Sequence, residues 1–80
     1  MTTQELNDRV KRIAPSGHGT WKVTIKYRGK EYSAYTHNSF AIDRLSNDGM
    51  PSNQNDYGYT YKQALQTLYD EVVKYHDLGR

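Results

Sequence analysis

The 80-residue sequence contains no cysteine, so disulfide bonds cannot contribute to its stability. Secreted domains of this size usually depend on such bonds, and their absence favours a reducing compartment such as the cytoplasm. The chain also has no apolar run near the ~20 residues that a membrane-spanning helix needs. Its beginning, MTTQELNDRVKRIAP, lacks the apolar segment of a signal peptide. We therefore expect a soluble cytoplasmic protein without membrane association.

The sequence also lacks a strong excess of one charge, because it contains 11 Lys and Arg residues and 9 Asp and Glu residues, for a net charge of +2. This balance is unlike that of a dedicated nucleic-acid neutraliser, but it is compatible with a local basic patch. Hydrophobic residues make up only 35% of the chain, so residues 1–80 are expected to form one small domain with a thin core. Eight tyrosines supply much of the apolar area for that core.

Motifs of the common catalytic and metal-binding classes are missing. The histidines, His18, His37 and His76, lie in different predicted elements without acidic or cysteine partners at metal-ligand spacing. The GHGT stretch precedes a strand and is followed by lysine where a dinucleotide-binding fingerprint has its third glycine. No serine or threonine has the sequence context of a nucleophile with its base. We therefore expect no enzymatic activity, no cofactor and no metal ion.

Helical periodicity is present at both ends of the chain. Apolar residues at spacings of three and four predict a first helix from Thr3 to Ala14, which Pro15 ends before a PSGHG loop. Near the other end, Thr60 and Gln63 form a capping box ahead of an amphipathic helix with an apolar stripe from Tyr61 to His76. The opposite side of that helix is predicted to face solvent. It carries Gln63, Gln66, Thr67, Asp70, Glu71 and Lys74.

The segment WKVTIKYRGKEYSAYTH, from Trp21 to His37, alternates with the period of two that is typical of β-strands. The glycine in YRGKEY predicts a hairpin whose turn is either Arg28-Gly29 or Gly29-Lys30. The two registers differ by two residues, so each side chain keeps its face in both. One face is apolar and is assigned to the core. The other is polar, basic and aromatic, with Lys22, Thr24, Lys26, Ser33, Tyr35 and His37.

A short second helix and a long loop complete the predicted order. Asn38 or Ser39 can cap a helix of about two turns. Residues 47–59, rich in Asn, Gly and Ser, are predicted to form a mobile polar loop. The full prediction is an α+β domain with a short N-terminal helix, an antiparallel β-hairpin, a short helix, this loop and a C-terminal amphipathic helix packed on the hairpin.

Two groups of residues are candidate binding sites. The polar face of the hairpin would offer phosphate-pairing charge beside stacking rings, which suits nucleic acid. The candidate nucleic-acid-binding residues are Lys22, Lys26, Arg28, Lys30, Tyr35 and His37. Exposed tyrosines on polar loops favour protein recognition, and this points to Tyr57 together with Tyr35. The same patterns are also expected of an ordinary solvated strand face and of tyrosines that fill a thin core.

Two stretches, YRGKEYSAYTHNSFAIDRL and YTYKQALQTLYDEV, resemble small uncharacterised proteins of temperate phages and prophages of Gram-positive bacteria. The resemblance includes no functional motif. It implies a protein of the host-cell cytoplasm that acts by stoichiometric binding.

The leading hypothesis is a non-enzymatic regulator or inhibitor that docks on a host protein or nucleoprotein complex. Anti-defence inhibitors such as anti-CRISPR proteins belong to this class. Direct binding of DNA or RNA through the hairpin is the alternative. A homodimer, formed through the open hairpin edge, is compatible with both hypotheses.

Overall fold

The computed structural model describes residues 1–46 and 58–79. Its elements, in chain order, are α1 (Thr3–Arg9), β1 (Val10–Gly17), β2 (Thr20–Tyr27), β3 (Lys30–Thr36), α2 (Ser39–Ser46) and α3 (Tyr61–Tyr75). The strands form one antiparallel sheet in the order β1-β2-β3. Helix α3 contacts all three strands, α1 contacts β1 and β2, and α2 packs against α3. The predicted α+β class and the packing of the C-terminal helix on the β2–β3 hairpin are confirmed, whereas the third strand, β1, was not predicted.

The N-terminal part of the chain differs from the prediction. The helix ends at Arg9, and the predicted continuation to Ala14 is wrong, because Val10–Gly17 is a strand. Of the predicted PSGHG loop, only His18 and Gly19 lie outside the strands, where they form a turn. Val10 pairs with Ile25, and Ile13 pairs with Val23. A β-bulge between Val10 and Arg12 explains why the spacing looked helical. The additional residue lets Val10 and Ile13, three positions apart, share one face of a strand.

Both outer edges of the sheet carry features that hinder strand pairing. Pro15 lies within β1 opposite Trp21, and proline is tolerated there because β1 is an edge strand. At the other edge, the His76 Nε2 atom lies 2.6 Å from the carbonyl oxygen of Ser33. Proline and occupied edge groups both oppose the addition of another strand. The homodimer therefore stays a prediction, and these edges are poor routes to it.

The β2–β3 hairpin adopts the first of the two predicted registers. Ile25 lies opposite Tyr32, which leaves Arg28 and Gly29 as the turn. Their φ angles are 51° and 85°, and two positive values define the type I′ turn that matches the twist of paired strands. Glycine adopts this conformation without strain, whereas other residues do not.

Gly29→Ala is expected to lower the free energy of unfolding by about 1 kcal/mol, because a Cβ atom is strained at positive φ. The added methyl group would meet no atom within 4 Å, so the cost comes from the backbone alone. Thermal unfolding should show a melting temperature lower by about 4–8 °C. Gly79→Ala is the matched control, since Gly79 is exposed and its φ is not in the positive region. Equal effects of the two changes would contradict the prediction.

The core lies between the apolar face of the sheet and the helices. Its largest fully buried side chains are Leu6, Val23, Ile25, Ile42, Leu68 and Val72. The predicted capping box of α3 is confirmed, because the Thr60 hydroxyl accepts from the Gln63 N–H at 3.1 Å and the Gln63 side chain accepts from the Thr60 N–H at 3.0 Å. Asn38 caps α2, with its Oδ1 atom accepting from the Ala41 N–H at 3.1 Å. Within residues 1–46 and 58–79, no helix has the length and apolar composition of a membrane span.

A polar network joins the end of β3 to α2 and α3. The Thr36 hydroxyl donates to Glu71 Oε1 at 2.6 Å and accepts from the Asn38 N–H at 3.0 Å. The Asn38 side-chain amide donates to Glu71 Oε2 and to the Tyr59 hydroxyl, each at 3.3 Å. Thr36 is buried and Glu71 is half-buried, so the prediction that Glu71 faces solvent beside the exposed Asp70 is wrong.

Candidate nucleic-acid interface

The face of the sheet that points away from the helices is polar and exposed. Residues directly opposite each other on neighbouring strands share a face, so the register defines which side chains lie there. We call this surface the open face. It carries Arg12, Ala14, Lys22, Thr24, Lys26, Glu31, Ser33 and Tyr35. All of its long side chains are exposed, and for those on β2 and β3 the alternation of the sequence predicted this.

The centre of the open face is a shallow polar depression. Its floor is formed by the half-buried hydroxyls of Thr24 and Ser33, whose oxygen atoms lie 2.8 Å apart. The depression has a volume of about 380 Å³. Its rim is formed by Lys11, Arg12, Lys22 and Glu31. Cations therefore outnumber carboxylates around hydroxyls that can donate or accept, a combination that suits an anionic, hydrogen-bonding ligand.

Tyr35 adds an aromatic surface beside these charges. Its side chain is 60% exposed, and the residue lies directly opposite Lys22. Of the tyrosines in the described part of the chain, only Tyr35 and Tyr75 are mostly exposed. A ring that is held on a strand and accessible to solvent can stack on a base or on another planar group. His37 is also exposed and directly follows β3.

The structure brings some of the predicted site residues together and separates others. Lys22, Lys26 and Tyr35 share the open face. Lys30 lies opposite Tyr27, on the face of the hairpin that points toward the core. The prediction that Lys30 lies on the open face is therefore wrong. Arg28 lies in the turn, where its guanidinium carbon is 5.4 Å from the centroid of the Tyr27 ring.

The predicted protein-binding loop is only partly described. Tyr57 and the rest of residues 47–57 lie outside the described residues. Tyr59, at the end of the predicted loop, is half-buried and packs against the core. This packing fits the expectation that some tyrosines fill a thin core. The role of Tyr57 in protein recognition stays a prediction.

Lys11 and Arg12 were missed by the sequence analysis, because it placed them on a helix. Both are exposed on β1 and border the central depression. The signal that could have found them is the GHG sequence, because a glycine-rich turn between two segments with apolar residues indicates a second hairpin. In the structure, His18 and Gly19 form the β1–β2 turn, with φ angles of 55° and 74°. Glycines at this position are typical of a tight hairpin.

Two further features bear on the chemistry of the surface. Among residues 1–46 and 58–79, no group of three or more His, Asp or Glu side chains is placed to hold a metal ion. The His76 ring is packed between aromatic rings, with its centroid 5.2 Å from that of Tyr32 and 5.0 Å from that of Tyr75. Its contacts with the β3 edge and with these rings indicate a structural role.

No protein family, curated protein or solved structure was found to match this chain. The resemblance to phage proteins therefore stays a prediction. The function has to be argued from the chemistry of the open face.

Proposed function

We propose that the protein is a non-enzymatic binding protein whose open face binds single-stranded nucleic acid. The observation that carries this proposal is the exposed ring of Tyr35 beside Lys22, on a surface rimmed by further cations. Proteins that bind single strands combine a cationic path for the phosphates with aromatic side chains on which bases stack. The hydroxyls of Thr24 and Ser33 add hydrogen-bonding groups at the centre of the surface.

The width of the sheet favours a single strand over a duplex. A two-stranded ribbon fits the major groove of B-DNA, which is about 12 Å wide. The third strand, β1, widens the surface, because three strands at a spacing of ~4.8 Å span ~10 Å between backbones before side chains are added. An extended single strand can lie across such a surface and stack a base on Tyr35.

Docking on a host protein is the other hypothesis from the sequence. It depended chiefly on Tyr57, which lies outside the described residues, whereas the depression of the open face is bordered by three cations and one carboxylate. Electrostatic complementarity therefore favours a polyanion. Binding of nucleic acid within a host nucleoprotein complex would be consistent with the stoichiometric binding that the phage resemblance implies.

The proposal is tested by fluorescence anisotropy with single-stranded DNA and RNA oligonucleotides over a series of salt concentrations. Tyr35→Ala is expected to weaken binding by about 1–3 kcal/mol, or roughly 5- to 150-fold, because one stacked base is lost. Lys22→Ala is expected to reduce the slope of log affinity against log salt by about 0.7, the value for one phosphate contact on a single strand.

Tyr75→Ala is the matched control, because Tyr75 is 70% exposed but lies on helix α3 and not on the open face. It should leave the affinity unchanged. Absence of binding at low salt would refute the proposal. Equal effects of Tyr35→Ala and Tyr75→Ala would refute the assignment of the site, and capture of a protein partner instead of nucleic acid would favour the docking hypothesis.

A further inference from the structure

A second concave site lies at one end of the open face, where the α1–β1 junction approaches the β2–β3 turn. Its volume is about 660 Å³. We call it the basic groove. It is lined by Asp8, Arg9, Lys11, Lys26, Tyr27, Arg28 and Gly29. Its cationic side chains clearly outnumber the single carboxylate, so the groove attracts anions more strongly than the net charge of the chain suggests.

The two arginines of the basic groove are held by aromatic rings. Arg9 Nη1 donates to the Tyr69 hydroxyl at 3.4 Å, and its guanidinium carbon lies 6.0 Å from the centroid of that buried ring. Arg28 lies over the ring of Tyr27, whose hydroxyl donates to the Leu78 carbonyl at 3.0 Å. A guanidinium held in this way loses less conformational freedom when it binds, and its planar donors match phosphate oxygens.

Two irregularities of the backbone place cations in the groove. The β-bulge next to Lys11 interrupts the alternation of β1, so that Lys11 and Arg12 are both exposed. Arg28 occupies the first position of a type I′ turn with a φ of 51°, where asparagine or glycine would be less strained. Non-glycine residues at positive φ are found preferentially at functional sites, and of the three in the described part of the chain, His18, Arg28 and Asp77, Arg28 lines the groove. The bulge beside Lys11 and the turn position of Arg28 therefore support a binding site independently of the number of charges in the groove.

We propose that the basic groove binds a terminal phosphate monoester of the strand that lies on the open face. This inference rests on the proposed function. An internal phosphodiester carries one negative charge, whereas a monoester carries about −1.5 to −2 at pH 7 and presents three oxygen atoms. The more highly charged group is the better match for Arg9, Lys11, Lys26 and Arg28 against Asp8. Lys11 borders both the groove and the central depression, which makes the two sites continuous.

The test compares oligonucleotides of one sequence with a 5′-phosphate, a 3′-phosphate or no terminal phosphate. One of the phosphorylated forms is expected to bind the wild type roughly tenfold more tightly than the unphosphorylated form, the gain typical of charge-assisted hydrogen bonds. Arg28→Asn and Arg9→Gln should each bring this ratio close to one. Lys62→Ala removes an exposed cation outside the groove and should leave the ratio unchanged.

The Arg28→Asn variant is chosen so that a loss of the phosphate preference cannot be attributed to unfolding. Asparagine suits the turn position better than arginine, so Arg28→Asn should not lower the melting temperature. Equal affinities for all three oligonucleotides would overturn the inference while leaving the proposed function intact. A ratio that persists in both Arg28→Asn and Arg9→Gln would also overturn it.

A titration with inorganic tripolyphosphate separates the two proposals if no oligonucleotide binds. Saturable binding to the wild type that is lost in Arg28→Asn would retain the groove as a site for phosphate groups from a small molecule, with the nucleic-acid proposal refuted. No binding of tripolyphosphate or of any oligonucleotide would overturn both.

Discussion

Leu68→Ala is expected to lower the free energy of unfolding by about 2–5 kcal/mol, the usual cost of removing a buried leucine side chain. Leu68 is fully buried on α3, the helix that contacts every strand of the sheet. At 0.05–0.15 kcal/mol per residue, the whole 80-residue chain is expected to have a stability of roughly 4–12 kcal/mol. The substitution therefore removes a large fraction of the total stability.

Urea denaturation followed by circular dichroism provides the measurement. The midpoint should fall while the slope stays unchanged, since the cavity alters stability and not the area exposed on unfolding. Lys62→Ala, at an exposed position of the same helix, should change the stability by less than about 0.5 kcal/mol. A loss below about 1 kcal/mol for Leu68→Ala would mean that α3 does not form the centre of the core.

Glu71→Ala is expected to lower the free energy of unfolding by about 2 kcal/mol. The carboxylate accepts from the Thr36 hydroxyl and from the Asn38 amide, and hydrogen bonds to a charged partner contribute roughly 1.5–3 kcal/mol. Thr36 is only 4% exposed, so its hydroxyl would lose its acceptor in a place with little access to water. The change should lower the melting temperature by about 8–16 °C.

Asp70→Ala is the matched control for this experiment, because Asp70 is the neighbouring acidic residue on the same helix. It is exposed and accepts from the Gln66 side chain at 2.9 Å, four residues away. Such exposed pairs contribute a few tenths of a kcal/mol. If Asp70→Ala were as destabilising as Glu71→Ala, the network around Thr36 would not have the structural role assigned to it.

The local features of the fold were predictable from residues that act over short distances. Thr60 and Gln63 cap α3 because their side chains reach backbone groups only three residues away. The turn at Arg28 and Gly29 was one of two alternatives, since a glycine narrows the choice without deciding it. The exposed position of Lys22 and Tyr35 followed from alternation, which holds in either register.

The features that were predicted wrongly depend on partners that are distant in sequence. The spacing of Val10 and Ile13 fits a helix in isolation, and only pairing with β2 through a bulge makes this segment a strand. A helical projection places Glu71 on the solvent side of α3, but Thr36, 35 residues away, donates a hydrogen bond to its carboxylate. Lys11 and Arg12 joined the candidate site only as a consequence of that strand pairing.

The sequence by itself determined the α+β class, the caps and apolar stripe of α3, and the two faces of the β2–β3 hairpin. Capping bonds and side-chain periodicity are properties of neighbouring residues, so they can be read before the chain folds. Only the tertiary structure decided that β1 is a strand, that Glu71 is partly buried, and that Arg9 and Arg28 line one groove. Each of these depends on contacts across the sheet or between layers, where strand pairing and burial outweigh the weak local preference of a short segment.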